Sequence, residues 1–230
     1  MRYQWILFDA DGTLFDYDAA ERVAIESTFR DFGHAFEPRC ASVYKEVNRL
    51  TWLEFERGEI TQDRLRSRRF ERLFVEVGIE EEASRFGARY LERLSERADL
   101  VEGSLEILAY LRGKVRLVLV TNGLAEVQRS RLARSPIAEF FETFVISEEV
   151  GSAKPDRKIF DVARQGLGDP PLEQGLIVGD SLTSDIRGGS DYGIGTCWFN
   201  PQRHDRPAAP PEGPRIDHEV ATLDEIEGLL

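Results

Sequence analysis

Two aspartates separated by one residue, Asp9 and Asp11, close an apolar run in the stretch WILFDADGTLFD, residues 5–16. Acidic and polar residues end later runs in the same way. Asp180 closes GLIVGD with Asp185 just beyond it in GDSLTSD, Thr121 closes VRLVLVT before Asn122 and Gly123, and Lys154 lies in the loop GSAKPD. A lone Asp or Thr at such a point is ordinarily a helix cap or turn residue. Three polar strand ends with a lysine ask for another account. Brought into one crevice, Asp9, Asp11, Asp180 and Asp185 repel one another, and their ionised forms are disfavoured without a cation. Oxygen donors suit a hard ion, and Mg²⁺ fits because it takes one or two carboxylates, keeps some waters and accepts a phosphate oxygen. A phosphate placed there is flanked by the cation, the Lys154 ammonium, the Thr121 hydroxyl and backbone N–H groups around Asn122 and Gly123. One carboxylate is left free to attack.

The elements that must position these groups follow from the apolar pattern. Short runs rich in β-branched residues at Trp5 to Phe8, Leu117 to Val120, Phe144 to Ile146, Leu176 to Val178 and Thr196 to Phe199 alternate with helical patterns over 104–112, 124–134 and 156–166, where Pro155 suits a first turn. This alternation predicts an α/β fold with a parallel sheet, whose ligands bind beyond the carboxyl ends of the strands. One gap breaks the rhythm. From Leu14 to about Val101 there is no strand run but four helical faces: Ile25, Phe29 and Phe32; Val43, Val47 and Leu50; Phe70, Leu73, Phe74 and Val77; and Ala83, Phe86, Tyr90 and Leu94. Asp18 with Glu21 reads as a capping-box-like start to the first. The stretch PQRHDRPAAPPEGPR, residues 201–215, predicts a surface loop before a final helix.

Composition narrows the classes. A chain of 230 residues suits one core domain carrying a smaller one, and a net charge of −12 repels polyanions, which argues against binding long nucleic acid. Cys40 and Cys197 lie far apart without CxxC spacing and read as reduced, buried thiols. No run approaches the ~18 apolar residues of a membrane span and no signal peptide is evident, so a cytoplasmic location is expected. His34, His204 and His218 are scattered, which leaves a histidine metal site or a Ser-His-Asp triad without support.

Taken together, DADGTL at 9–14, VTNG at 120–123, KP at 154–155 and GDSLTSD at 179–185 resemble the four ordered motifs of the haloacid dehalogenase superfamily. The resemblance implies a Rossmann-like core over residues 1–15 and 101–230, with an inserted helical cap over 16–100. It implies that Asp9 is a nucleophile forming an aspartyl-phosphate and that Asp11 is the acid for the leaving oxygen and then the base for water. Thr121 and Lys154 then position the phosphoryl group, while Asp9, the Asp11 carbonyl and Asp180 hold Mg²⁺, with Asp185 binding it through water or orienting its ligands. The cap is expected to close over the site and supply specificity.

Presence of Asp11, Asp180 and Asp185 argues against the metal-free dehalogenases of that family. Lys45, the lone cap lysine, reads as a solvated helix residue rather than a Schiff-base lysine. A mutase stays open, and a non-catalytic binding module is disfavoured because neither Asp9 nor Asp11 is lost. The cap string NRLTWLEFERGEITQDRLRSRRF, residues 48–70, together with DADGTLFDYDAAE, is similar to a bacterial nucleotidase branch associated with nucleoside 5′-monophosphates, particularly pyrimidine ones. That similarity makes Trp52 and Arg69 candidate substrate contacts, though Trp52 and Phe55 equally suit a cap core and most of Arg64, Arg66, Arg68, Arg69 and Arg72 suit solvated pairs with glutamates. The expected partner is a small phosphorylated metabolite, with a sugar or phosphoglycolate-like acid phosphate as the alternative substrate, handled by a monomer or homodimer.

Overall fold

The computed structural model describes residues 2–205 and 213–230. Strand β1 (Trp5–Phe8) is apolar at every position because both of its faces are covered, as is typical of parallel sheets. Helices α1 (Tyr17–Asp31), α2 (Pro38–Glu56), α3 (Gln62–Val77) and α4 (Ala83–Ser95) follow it before the chain returns through α5 (Ser104–Leu111) to β2 (Arg116–Thr121). Then come α6 (Ala125–Arg134), β3 (Thr143–Ile146), the short α7 (Ser147–Val150), α8 (Arg157–Gly166), β4 (Gly175–Gly179), α9 (Arg187–Tyr192) and β5 (Gly195–Phe199). Among the described residues the sheet is parallel throughout, in the order β3-β2-β1-β4-β5-β6, where β6 is His218–Val220. Neighbours on both sides of β1 are entered from opposite directions, so its carboxyl end lies at the switch point where such sheets bind ligands.

Alternate residues of each strand feed two apolar layers. Ile6, Phe8, Leu119 and Val178 pack with Leu108 and Leu111 of α5, while Leu7, Val118, Val120 and Ile177 pack with Ile159 and Phe160 of α8. Helices α1 to α4 share a third cluster around Ile25, Phe29, Phe70, Phe86 and Tyr90, which is where the helical periodicity placed their inner faces.

Several local expectations are corrected. The first helix is capped by Asp16, whose carboxylate accepts from the Ala19 N–H at 3.0 Å, rather than by Asp18 with Glu21. Leu50 is 41% exposed, because α2 turns Tyr44, Val47, Asn48 and Thr51 inward instead. Polar residues occupy that face since they meet a buried network: Asn48 donates to Glu21 at 2.6 Å and accepts from Arg69 at 3.0 Å. Arg69 is thus sealed inside the helical insert, between the rings of Phe70 and Tyr90, and has no face open to a ligand. Pro155 precedes α8 rather than entering it, and Asp156 caps that helix by accepting from the Lys158 N–H at 2.8 Å. The predicted 201–215 loop lies partly outside the described residues. After it the chain adds β6, which the sequence pattern did not announce, and ends in a 3₁₀ helix, Leu223–Leu229, which starts at a capping box of Thr222 and Glu225. Both cysteines are free and buried, and no helix among the described residues is long and apolar enough to cross a membrane.

Burial pushes the Glu21 carboxyl up from 4.5 to about 7, against the pull of Tyr17 and Arg69. An acid held more protonated in the folded state contributes stability that is complete below its unfolded pKa and is lost as pH rises through its folded value. The protein should therefore lose stability between roughly pH 4.5 and 7, by on the order of 3 kcal/mol from this residue. Glu21→Gln, which mimics the protonated form, should remove that component in urea unfolding measured at pH 5 and pH 8. Parallel pH dependences in the two proteins would contradict this role.

Candidate active site

The carboxyl ends of β1, β2 and β4 bring the predicted groups together. Asp9 directly follows β1 and is anchored by its N–H on Val178 O at 2.9 Å. Lys154, only 1% exposed, reaches between the strands: its ammonium contacts Asp9 Oδ1, Asp185 Oδ1 at 2.7 Å and the Val120 carbonyl at 2.7 Å. Burial alone would lower its pKa, yet Asp185 and Asp9 raise it. Asp9 is raised well above an ordinary carboxylate, first by burial and against the pull of Lys154. Asp180 stands at the solvent side of the crevice, with its carbonyl fixed by the Trp198 indole at 2.9 Å.

One ammonium among three carboxylates leaves negative charge uncompensated, and oxygens of Asp9, Asp180 and Asp185 lie within 4.8 Å of one another. An all-oxygen set of this size and charge fits a hard divalent cation. Asp185 is the least available of the three, since Oδ2 accepts from the Ser181 N–H at 3.0 Å while Oδ1 faces the lysine. Thr13, buried between Asp9 and Asp180 at 3.5 Å from each, was not singled out by the sequence. Gly12 is required beside it: its φ is +85°, and a Cβ would stand 2.6 Å from Asp180 Oδ2.

Asn122 and Gly123 also brace the loops on either side of the lysine. The Asn122 amide brackets the lysine's backbone, donating to Lys154 O at 2.9 Å and accepting from Lys154 N at 2.7 Å. The Gly123 N–H donates to Thr121 Oγ1 at 3.1 Å. Asp11 faces away from the lysine toward α6, where Arg131 and Gln128 hold its carboxylate. These two residues were missed because, in AEVQRSRLAR, one glutamine and one arginine among three look like solvated helix charges.

With this geometry in place, the family model of haloacid dehalogenase-like hydrolases matches residues 3–193. The chain belongs to that family. This hydrolase is 36% identical over 234 residues to pyrimidine 5′-nucleotidase YjjG of Escherichia coli K12, across all of this chain and 99% of the relative. It is 35% identical over 202 residues to pyrimidine 5′-nucleotidase PynA of Streptococcus pneumoniae, across 87% of this chain and 85% of the relative. The magnesium-bound crystal structure of the HAD-hydrolase YfnB of Bacillus subtilis superposes with a TM-score of 0.93 at 33% identity, over 100% and 99% of the two chains. The chain is thus a hydrolase of the family's phosphatase kind.

The helical insert of this hydrolase touches the core around the crevice. Glu56 accepts from Thr183 at 3.1 Å, Gln62 reaches the Gly123 carbonyl at 3.4 Å, and Arg66 pairs with Glu126 and with Glu148 at 2.8 Å. A cavity of about 640 Å³ lies there, lined by Phe55, Glu56, Gln62 and Lys154. Trp52 is half-buried, edge-on to Phe55 with ring centroids 5.8 Å apart. Arg64, Arg68 and Arg72 pair with Glu71 or Glu54 as solvated charges would, and Lys45 pairs with Asp18 at the surface. His34 and His218 bond Glu81 and Tyr3 separately.

Removing one partner from a buried charge cluster typically costs about 3–5 kcal/mol. Lys154→Met should therefore melt well below the parent in chelator, and added Mg²⁺ should narrow the gap. A melting temperature equal to the parent's under both conditions would show that the lysine does not balance these carboxylates.

Proposed function

We propose that the enzyme hydrolyses phosphomonoesters through an aspartyl-phosphate on Asp9, with Mg²⁺ held by Asp9, the Asp11 carbonyl and Asp180, and that its substrates are nucleoside 5′-monophosphates with pyrimidines preferred. The observation that carries the chemistry is the separation of two neighbouring carboxylates into two environments: Asp9 locked to a buried lysine, Asp11 held apart by Arg131 and Gln128 of α6. A carboxylate oxygen of Asp9 attacks phosphorus, and the bond to the ester oxygen breaks. Asp11 gives that oxygen its proton, then takes one from a water that attacks the phosphorus of the aspartyl-phosphate and frees Asp9. Lys154 pulls Asp9 toward its ionised form against the cost of burial and offsets charge on the phosphoryl oxygens, and Thr121 offers its hydroxyl. Bound to the carboxylates, Mg²⁺ would supply the remaining positive charge.

Helices α1 to α4 act as the cap, over residues 16–100, on a core of 1–15 and 101–230. Support for a nucleotide substrate comes from the two relatives named as pyrimidine 5′-nucleotidases and from the aromatic pair Trp52 and Phe55, of which Phe55 lines the cavity between cap and core. Arg69 no longer belongs among the substrate contacts, since the cap interior holds it. Trp52 remains. Stacking on one aromatic ring is worth ~1–3 kcal/mol. Trp52→Ala should accordingly lower kcat/KM for a pyrimidine nucleotide by roughly ten- to hundredfold and leave a small ring-free ester such as glycerol phosphate little affected. A substrate screen with and without Mg²⁺ tests the assignment directly: sugar phosphates or phosphoglycolate outrunning every nucleotide would overturn it while leaving the hydrolytic chemistry intact.

A further inference from the structure

The catalytic scheme needs Asp11 at one angle twice, first to deliver a proton and then to accept one. Nothing in the DADGTL loop itself fixes that side chain, which is a quarter exposed. Two residues of α6 do. Arg131 is completely buried, and its guanidinium contacts Asp11 Oδ1 while its Nε donates to the Arg97 carbonyl at 2.9 Å and its plane covers the Phe15 ring at 4.3 Å. Gln128, also buried, donates from Nε2 to Asp11 Oδ2 at 2.5 Å and to Thr121 Oγ1 at 3.3 Å. That reach exists only because position 123 is glycine: a Cβ there would stand 2.2 Å from Gln128 Nε2.

A buried arginine is costly unless its charge is met: Asp11 meets it when ionised, the form that takes a proton from water, and the Arg97 carbonyl and Phe15 ring stay as its partners when Asp11 carries a proton. Each carboxylate oxygen has two lone pairs, so Oδ2 can accept the Gln128 N–H and still carry a proton for transfer. Arg131 also spans both chain segments joining the helical insert to the core. Phe15, under its guanidinium, pairs with Leu100, and Asp16 N donates to Asp99 O at 2.9 Å, two residues beyond the Arg97 carbonyl that Arg131 holds.

We infer that Arg131 and Gln128 are positioning residues that aim the Asp11 carboxylate at the leaving oxygen and tie its angle to the two linkers of the cap. This rests on the proposed role of Asp11. The test compares two leaving groups. An alkyl phosphate such as a nucleoside 5′-monophosphate needs a proton on its departing oxygen, whereas p-nitrophenolate leaves without one. Arg131→Lys, which keeps the charge and loses the fork, should lower kcat for the nucleotide by ~100-fold, within the range general acid catalysis supplies. With p-nitrophenyl phosphate it should show a rapid burst of about one nitrophenolate per active site followed by slow turnover, because phosphorylation of Asp9 persists while its hydrolysis, which needs Asp11 as base, lags. Gln128→Leu should give the same pattern more weakly and carries the test if Arg131→Lys does not fold.

Equal losses on both substrates without a burst would reduce the pair to a structural role and overturn the inference. Asp11→Asn run in parallel separates the two ideas. If Asp11→Asn shows the burst and the α6 variants turn over like the parent, only the clamp is wrong; if Asp11→Asn itself is fully active, the acid–base assignment falls first.

Discussion

The ammonium of Lys154 is the interaction on which the rest of the site depends. It sits almost wholly out of water between Asp9 and Asp185, with the Val120 carbonyl as a third acceptor. An isolated charge in that place would be prohibitively costly, and so would either carboxylate. Three loops from three different strands must therefore converge for any of the charges to be tolerated. Secondary contacts make them converge: the Asn122 amide brackets the lysine's backbone, the Ser181 N–H holds Asp185, and Gly12 lets the first loop pass beside Asp180. The surplus negative charge that remains is what a divalent cation can balance.

That arrangement explains how two aspartates separated by one residue can do different work. Asp9 points inward to the lysine, and burial pulls its pKa up against that partner. Asp11 points outward to α6, keeps contact with solvent, and is gripped by an arginine and a glutamine. Environment, more than residue type, divides the roles proposed for them. The helical insert meets the rim of the crevice through Glu56, Gln62 and Arg66.

Much of this was legible in the chain because it has short-range causes. Apolar runs ending in Asp9, Thr121 and Asp180 gave strands, strand ends and hence a shared edge; the helical periodicity between Leu14 and Val101 gave the insert. What stayed hidden depends on contacts across the fold. Arg69 looked like its neighbouring arginines until packing placed it beside Asn48, Phe70 and Tyr90. Leu50 satisfies the helical period, but the buried polar network took the inward face of α2. Arg131 and Gln128 carry no local mark of their partner, which lies over a hundred positions away in sequence. Strand β6 is too short to stand out and forms by pairing with β5 at the sheet's edge.

The central claim is that Asp9, neutralised by Lys154, becomes covalently phosphorylated. It can be read without relying on turnover. An acyl phosphate, unlike a carboxylate, is reduced by borohydride, so quenching the enzyme in borohydride during steady-state hydrolysis and mapping its peptides should reveal homoserine at position 9 and nowhere else. The conversion should require both substrate and Mg²⁺. Unmodified Asp9 under conditions where phosphate is being released, or homoserine at Asp11, Asp180 or Asp185 instead, would contradict the account.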